Sequence, residues 1–163
     1  MKFRIGIGYD LHRLGPSASL ILGGVEIPHE KGLIGHSDGD VLSHAITDAL
    51  LGAIGAPDLG ELFPPDDPRY KAMDSRRFVA AVWPPLRRAG WTLRNADVVV
   101  ILERPKLAPW KRPIAEAVAG LLGIPAARVG VQAKTMEGLG GIGAGRAVAA
   151  QVVVLLERRV KTV

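Results

Sequence analysis

Polar and apolar residues alternate from the start of the chain. Phe3, Ile5, Ile7 and Tyr9 interleave with Arg4, Gly6, Gly8 and Asp10, the two-residue period of a strand. Residues 20–22 and 25–27 are apolar-rich and flank Gly23-Gly24, which predicts a hairpin. Val41, Leu42, Ala45, Ile46, Ala49, Leu50, Ala53 and Ile54 then recur at helical spacing. Ser37 and Asp40 before them have the spacing of a capping box, with Asp in place of the usual Glu, and Ala56-Pro57 should end the helix. Residues 58–74 read as a polar loop. A second helix follows, capped by Asp74 or Ser75 and running to Arg88, which Pro84-Pro85 must kink or break. The segment 91–103, with the run 98–102 at its centre, reads as a buried strand. Residues 105–109 form a loop, 114–122 a helix with Pro113 in its first turn, 129–135 a strand, 138–145 a glycine loop, and 148–156 a final β-branched strand. This order predicts a single α/β (α+β) domain over residues 1–163, with helices packed on one face of a mixed sheet.

Composition narrows the chemistry. The chain has 163 residues, 48% hydrophobic and 23% charged, enough apolar material for a real core. It has no cysteine, which removes disulfides, thiolate ligands and cysteine nucleophiles and suits a cytoplasmic protein. No apolar run reaches the roughly 18 residues of a membrane span, and no secretory signal is evident, so no membrane partner is expected. The formal charge of +5 fits either a solvated basic surface or an anionic partner. Three Phe, two Tyr and three Trp are too few for a base-stacking platform, and no basic helix is present, so no nucleic-acid partner is expected.

Five groups of residues could carry chemistry. Asp10 and His12, two apart, share one face of their strand, and His44 and Asp48 share one face of the helix. One carboxylate and two imidazoles from Asp10, His12 and His44 would make a three-ligand zinc set with a fourth position open, although a helical His can equally be a satisfied core residue. Residues 35–40, with His36 and Ser37, can be a helix cap or an anion-binding turn. His29, in a turn after Pro28, reads as a surface residue. Gly138, Gly140 and Gly143 match G-x-G-x-x-G, but a strand follows where a dinucleotide motif needs a helix. Lys134, Thr135 and Glu137 beside them can serve a phosphate and its metal, or form a solvated loop.

Taken in order, residues 5–12, 22–25, 31–33, 36–41, His44, 47–52 and 58–60, followed by 66–68, 74–76 and Pro105-Lys106, closely resemble the 2-C-methyl-D-erythritol 2,4-cyclodiphosphate synthases. The resemblance spans nearly the whole chain. It implies a ferredoxin-like fold and a homotrimer with active sites at the interfaces. It also implies a cytidine diphosphate substrate, 4-diphosphocytidyl-2-C-methyl-D-erythritol 2-phosphate, whose 2-phosphate attacks the β-phosphate and expels CMP. By position, Asp10, His12 and His44 are the Zn2+ ligands, and Glu137 is a ligand of a second ion, Mg2+ or Mn2+, that bridges the substrate phosphates. His36 and Thr135 stabilise the transition state. Asp58 and Gly60 hold the methylerythritol part, and the resemblance extends the substrate site to Ser37, Phe63, Asp66 and Asp67. Pro105, Lys106, Lys134, Thr135 and Glu137 hold the cytidine diphosphate part. Some positions depart from the family pattern. Met136 stands where Thr is common, Pro65 replaces an Asp, Leu102 takes a small residue's place, and Gly141 and Ala144 replace an aromatic residue and an arginine. The same ligands could instead activate water in a phosphohydrolase. A basic nucleic-acid-binding protein is the third reading.

Overall fold

The computed structural model describes residues 2–16, 19–35 and 37–158. Its centre is a five-stranded mixed sheet in the order β4-β1-β7-β5-β6, where β1 is Phe3–Pro16, β4 Lys31–Ile34, β5 Trp91–Ile101, β6 Val129–Lys134 and β7 Ala147–Arg158. All neighbours are antiparallel except β5 and β6. A separate hairpin joins β2 (Leu20–Leu22) to β3 (Val25–Ile27) around Gly23-Gly24. Helices α1 (Val41–Ile54), α3 (Arg76–Arg88) and α4 (Lys111–Leu122) pack on the sheet, and the short helices α2 (Leu59–Leu62) and α5 (Gly140–Gly143) complete the fold. The core lies between sheet and helices: Leu42, Ile46 and Leu50 of α1 meet Val148, Val152 and Val154 of β7 in one buried cluster.

Several sequence expectations are corrected. β1 runs on past Asp10, where the alternation read from the sequence stops. It pairs with β7 as far as Arg13 and then with β4 as far as Pro16, so two partners keep it extended and Asp10 and His12 lie well inside it. Pro84-Pro85 neither breaks nor ends α3, which runs through both. The carbonyls that lose a donor belong to Ala80 and Ala81, whose residues are exposed, so water can take the missing bonds. The polar loop at 58–74 contains α2 and a 3-10 turn, Pro68–Tyr70. The glycine loop contains the single turn of α5 before β7, so the G-x-G-x-x-G match is followed by a strand, as expected.

The capping box is also replaced. Asp40 itself is the N-cap of α1. Its Oδ1 accepts from the backbone N–H of Gly23 at 2.9 Å, Leu42 at 3.1 Å and Ser43 at 3.2 Å, and its Oδ2 accepts from Gly24 N–H at 2.8 Å and the Ser43 hydroxyl at 2.7 Å. Burial pushes this carboxyl above its ordinary range, although the hydrogen bonds from Gly23, Ser43 and Gly24 act the other way. Asp40 therefore locks the β2–β3 turn onto the start of the helix that carries His44. Asp40→Ala would strand buried N–H groups and should cost about 3 kcal/mol. That is a fall in Tm of roughly 6–12 °C in thermal unfolding. A Tm unchanged in Asp40→Ala would refute the role.

Candidate metal and phosphate site

The site is built by close contact between α1 and β1. A side chain added at Gly6 would place its Cβ 1.8 Å from the Ala49 carbonyl oxygen, and one at Gly8 would lie 1.9 Å from that of Ala45. With no Cβ at either position, the helix backbone lies directly on the strand. Asp10 and His12 continue the same face of β1, one and two steps beyond Gly8, and His44 hangs over them from α1.

There His44 Nδ1 lies 2.9 Å from Asp10 Oδ2, and His12 Nδ1 lies 3.0 Å from the same oxygen. The two imidazole centroids are 5.0 Å apart. Burial alone would raise the Asp10 carboxyl, but the adjacent His12 and His44 imidazoles more than offset it and hold it below the usual range. His12 Nδ1 is buried without a hydrogen-bond partner, despite its short distance to Asp10. The ring nitrogen is close to the carboxylate but not aimed at it. A ring nitrogen beside a carboxylate yet unbonded to it is a donor left for an ion. A tetrahedral ion with bonds of about 2.0–2.1 Å holds its donor atoms roughly 3.3 Å apart, near the spacing here. The residues therefore fit a divalent metal, and Asp10, His12 and His44 form the one such group of ligating side chains among the described residues.

An open cleft of about 320 Å³ surrounds this group. Asp58 and Gly60 line it with Ser37, Asp48 and Phe63. Asp58 is the N-cap of α2, accepting from Glu61 N–H at 2.9 Å, and Asp48 accepts from Leu59 N–H at 2.8 Å, so the two carboxylates fix α2 at the rim. Burial raises the Asp48 carboxyl; the charges of Asp58 and Asp10 add to this, while the Leu59 N–H opposes it. Phe63, Tyr70 and Phe78 form an aromatic wall, with Phe63 and Phe78 centroids 4.9 Å apart and Phe78 5.6 Å from the His44 ring. Nothing in the sequence marks Tyr70 and Phe78 as site residues, because no local pattern separates a cleft-lining aromatic from a core one.

The other expected site residues lie elsewhere. Pro105, Lys106, Lys134 and Thr135 line a second depression of about 210 Å³ with Leu102 and Glu103, and among the described residues none lines both hollows. Glu137 sits beside it, in the left-handed region at φ 50°, and its Oε1 accepts from the Thr135 hydroxyl at 2.6 Å. Asp66 and Asp67 do not line the cleft. Asp66 is exposed in a turn, and Asp67 caps the Pro68–Tyr70 turn while paired with Arg69. His36 lies outside the described residues.

Comparison with known proteins agrees with this layout. The YgbB family model matches residues 3–157. The 2-C-methyl-D-erythritol 2,4-cyclodiphosphate synthase of Gloeobacter violaceus is 53% identical over 96% of this chain and 96% of its own length, and that of Treponema denticola 51% over 90% and 91%. Among solved structures, IspF of Plasmodium falciparum in complex with CDP superposes with a TM-score of 0.85 at 32% identity over 98% of both chains. The bifunctional IspDF of Campylobacter jejuni gives 0.91 at 38% identity; the match covers 96% of this chain and 42% of that longer one. The chain belongs to the YgbB family, among the 2-C-methyl-D-erythritol 2,4-cyclodiphosphate synthases.

Proposed function

We propose that this enzyme, a phosphorus–oxygen lyase, converts 4-diphosphocytidyl-2-C-methyl-D-erythritol 2-phosphate to 2-C-methyl-D-erythritol 2,4-cyclodiphosphate and CMP. The reaction belongs to the methylerythritol phosphate route to isoprenoid precursors, and we place it in the cytoplasm. The observation that carries the reading is the convergence of Asp10, His12 and His44 at the floor of an open cleft.

An oxygen of the 2-phosphate bonds to the β-phosphorus, the bond from that phosphorus to the bridging oxygen breaks, and its electron pair leaves on CMP. Both reacting groups are anionic and joined in one molecule, so the protein must align them and offset charge; it need supply no nucleophile. Asp10, His12 and His44 would hold Zn2+, and Glu137 a second ion, Mg2+ or Mn2+, which together would supply Lewis-acid polarisation of the diphosphate. Asp58 and Gly60 hold the methylerythritol hydroxyls at the rim, with Ser37 and Phe63 beside them. Lys106 and Lys134, with Pro105, receive the cytidine diphosphate part. His36 and Thr135 donate hydrogen bonds to charge that develops at the β-phosphate. Asp66 and Asp67 stay near the rim as weaker members of the set, since neither side chain turns into the cleft.

The split between the two depressions supports a homotrimer with a ferredoxin-like subunit, in which the Lys134 side of one copy meets the metal cleft of the next. The face of β1 opposite α1 supports the same assembly. Ile5 is 71% exposed and Ile7 61%, with Tyr9, Leu11 and Val153 exposed around them, an apolar surface that water disfavours.

Incubation with the CDP-linked substrate and a divalent metal, followed by mass analysis, tests the function. CMP and a cyclic diphosphate in equal amounts are expected. A linear phosphate would mark a hydrolase and overturn the assignment.

A further inference from the structure

The outer nitrogen of His44 enters a hydrogen-bond chain that the cyclisation chemistry does not by itself require. His44 Nε2 lies 2.9 Å from Ser75 Oγ and 3.2 Å from Ser37 Oγ. Ser75 Oγ in turn donates to Asp38 Oδ1, and its backbone N–H reaches both Asp38 oxygens at 3.2 Å. Asp38 Oδ1 also accepts from Asp40 N–H at 3.1 Å. Ser75 occupies the N-cap position of α3 yet makes no side-chain capping bond, and it is fully buried. Helix capping therefore does not explain its hydroxyl.

Counting hydrogens limits the directions open to the chain. A hydroxyl has one hydrogen, and a carboxylate has none to give. The Ser75 hydrogen goes to Asp38, so Ser75 Oγ can only accept from His44. Ser37 Oγ, 2.9 Å away, accepts Gly39 N–H at 3.1 Å and can give its own hydrogen to Ser75. A neutral imidazole that donates to Ser75 carries its proton on Nε2, which leaves Nδ1 bare. Nδ1 is the atom that faces Asp10 at 2.9 Å. In that tautomer Nδ1 has no hydrogen to offer Asp10, and two lone pairs at that distance repel unless a cation lies between them.

We propose that Ser75 and Asp38 are positioning residues for the metal site: the Asp38–Ser75–His44 chain holds the His44 proton on Nε2 and so presents a bare Nδ1 beside Asp10. The proposal rests on the metal reading above. Partners of this kind orient a ligating histidine and raise its basicity, and their loss typically lowers metal affinity by about 10–100-fold.

The test uses the full chain and two readouts. In chelator-stripped, 15N-labelled protein at about pH 8.5, two units above an ordinary imidazole pKa of about 6.5, long-range proton–nitrogen NMR locates the His44 ring proton. Zinc affinity is measured by competition with a chromophoric chelator. The wild-type proton is expected on Nε2. Ser75→Ala is expected to populate the Nδ1–H tautomer and weaken zinc binding by about 10–100-fold, with the metal-free melting temperature little changed. A wild-type proton on Nδ1, or Ser75→Ala with unaltered tautomer and zinc affinity, overturns the proposal. Should Ser75→Ala not fold, Asp38→Asn decides by the same two assays. It keeps the shape but weakens the hold on the Ser75 hydrogen, so it should lose zinc affinity about 10-fold, and unchanged affinity overturns the proposal. A wild-type protein that binds no zinc would sink the metal reading, while the ring proton would still decide the chain.

Discussion

Gly8→Ala is expected to yield no folded protein. The added Cβ would stand 1.9 Å from the Ala45 carbonyl oxygen, 2.8 Å from the Ala45 carbonyl carbon and 2.8 Å from the Ala49 nitrogen. Ordinary carbon contacts lie at roughly 3.5–4.0 Å. All three obstacles are backbone atoms of α1, so no side-chain rotation relieves the clash. The helix would have to lift from the sheet by more than an ångström, and it cannot lift locally. Its apolar face is buried against β7 in one cluster, and its N-terminus is tied to the β2–β3 turn through Asp40. Overpacking in a yielding core costs about 1–3 kcal/mol; an unyielding one costs more, against a total stability of about 5–15 kcal/mol. Gly141→Ala is the control, because nothing lies within 4 Å of the Cβ it would add and its backbone is not left-handed. It should change stability by no more than about 0.5 kcal/mol. Soluble yield, far-ultraviolet circular dichroism and thermal unfolding read both variants. A cooperative melt for Gly8→Ala within about 3 °C of wild type would show that α1 does not lie on the strand as described.

Gly6 and Gly8 also bear on what can be read in the sequence. The alternation at the start of β1 identifies a strand but says nothing of which side is covered. The side carrying Ile5, Ile7 and Tyr9 is open, and the side carrying Gly6 and Gly8 is buried. Apolar periodicity alone would put the large residues inside. Helix α1 is legible because its apolar stripe is long; its cap is not, because Ser37 and Asp40 both have the chemistry to serve. Continuity of α3 through Pro84-Pro85 depends on whether water reaches Ala80 and Ala81, which local sequence does not encode. At the site, the spacing of Asp10 and His12 places both on one face. Their meeting with His44 depends on the register between β1 and α1, and only the recognisable order of motifs supplied that expectation. The link from Ser75 to Asp38 spans 37 positions, and both residues have a plausible capping role, so nothing local points to His44.

His44→Ala should abolish turnover while the chain stays folded. The two effects separate because His44 belongs to the cleft more than to the core. Its ring is at the edge of the buried cluster, against Phe78 and the open hollow, and the Asp10 side chain beside it keeps 26% of its exposure. Water can therefore solvate the carboxylate that loses its neighbour, and Ser75 keeps Asp38 and Ser37 as partners. The stability loss should be about 1–3 kcal/mol, too small to unfold a domain of this size. The chemical loss is larger. Two donors from one strand, Asp10 and His12, cannot close a three-ligand set, so zinc content by elemental analysis should fall to a small fraction of wild type. Polarisation worth several kcal/mol then disappears from the transition state, and about 4 kcal/mol corresponds to a rate roughly 10³ lower. The circular dichroism spectrum should stay close to wild type. If the folded variant turned substrate over at the wild-type rate, His44 would have no part in the chemistry, and the cluster would be a buried hydrogen-bond triad rather than a metal centre.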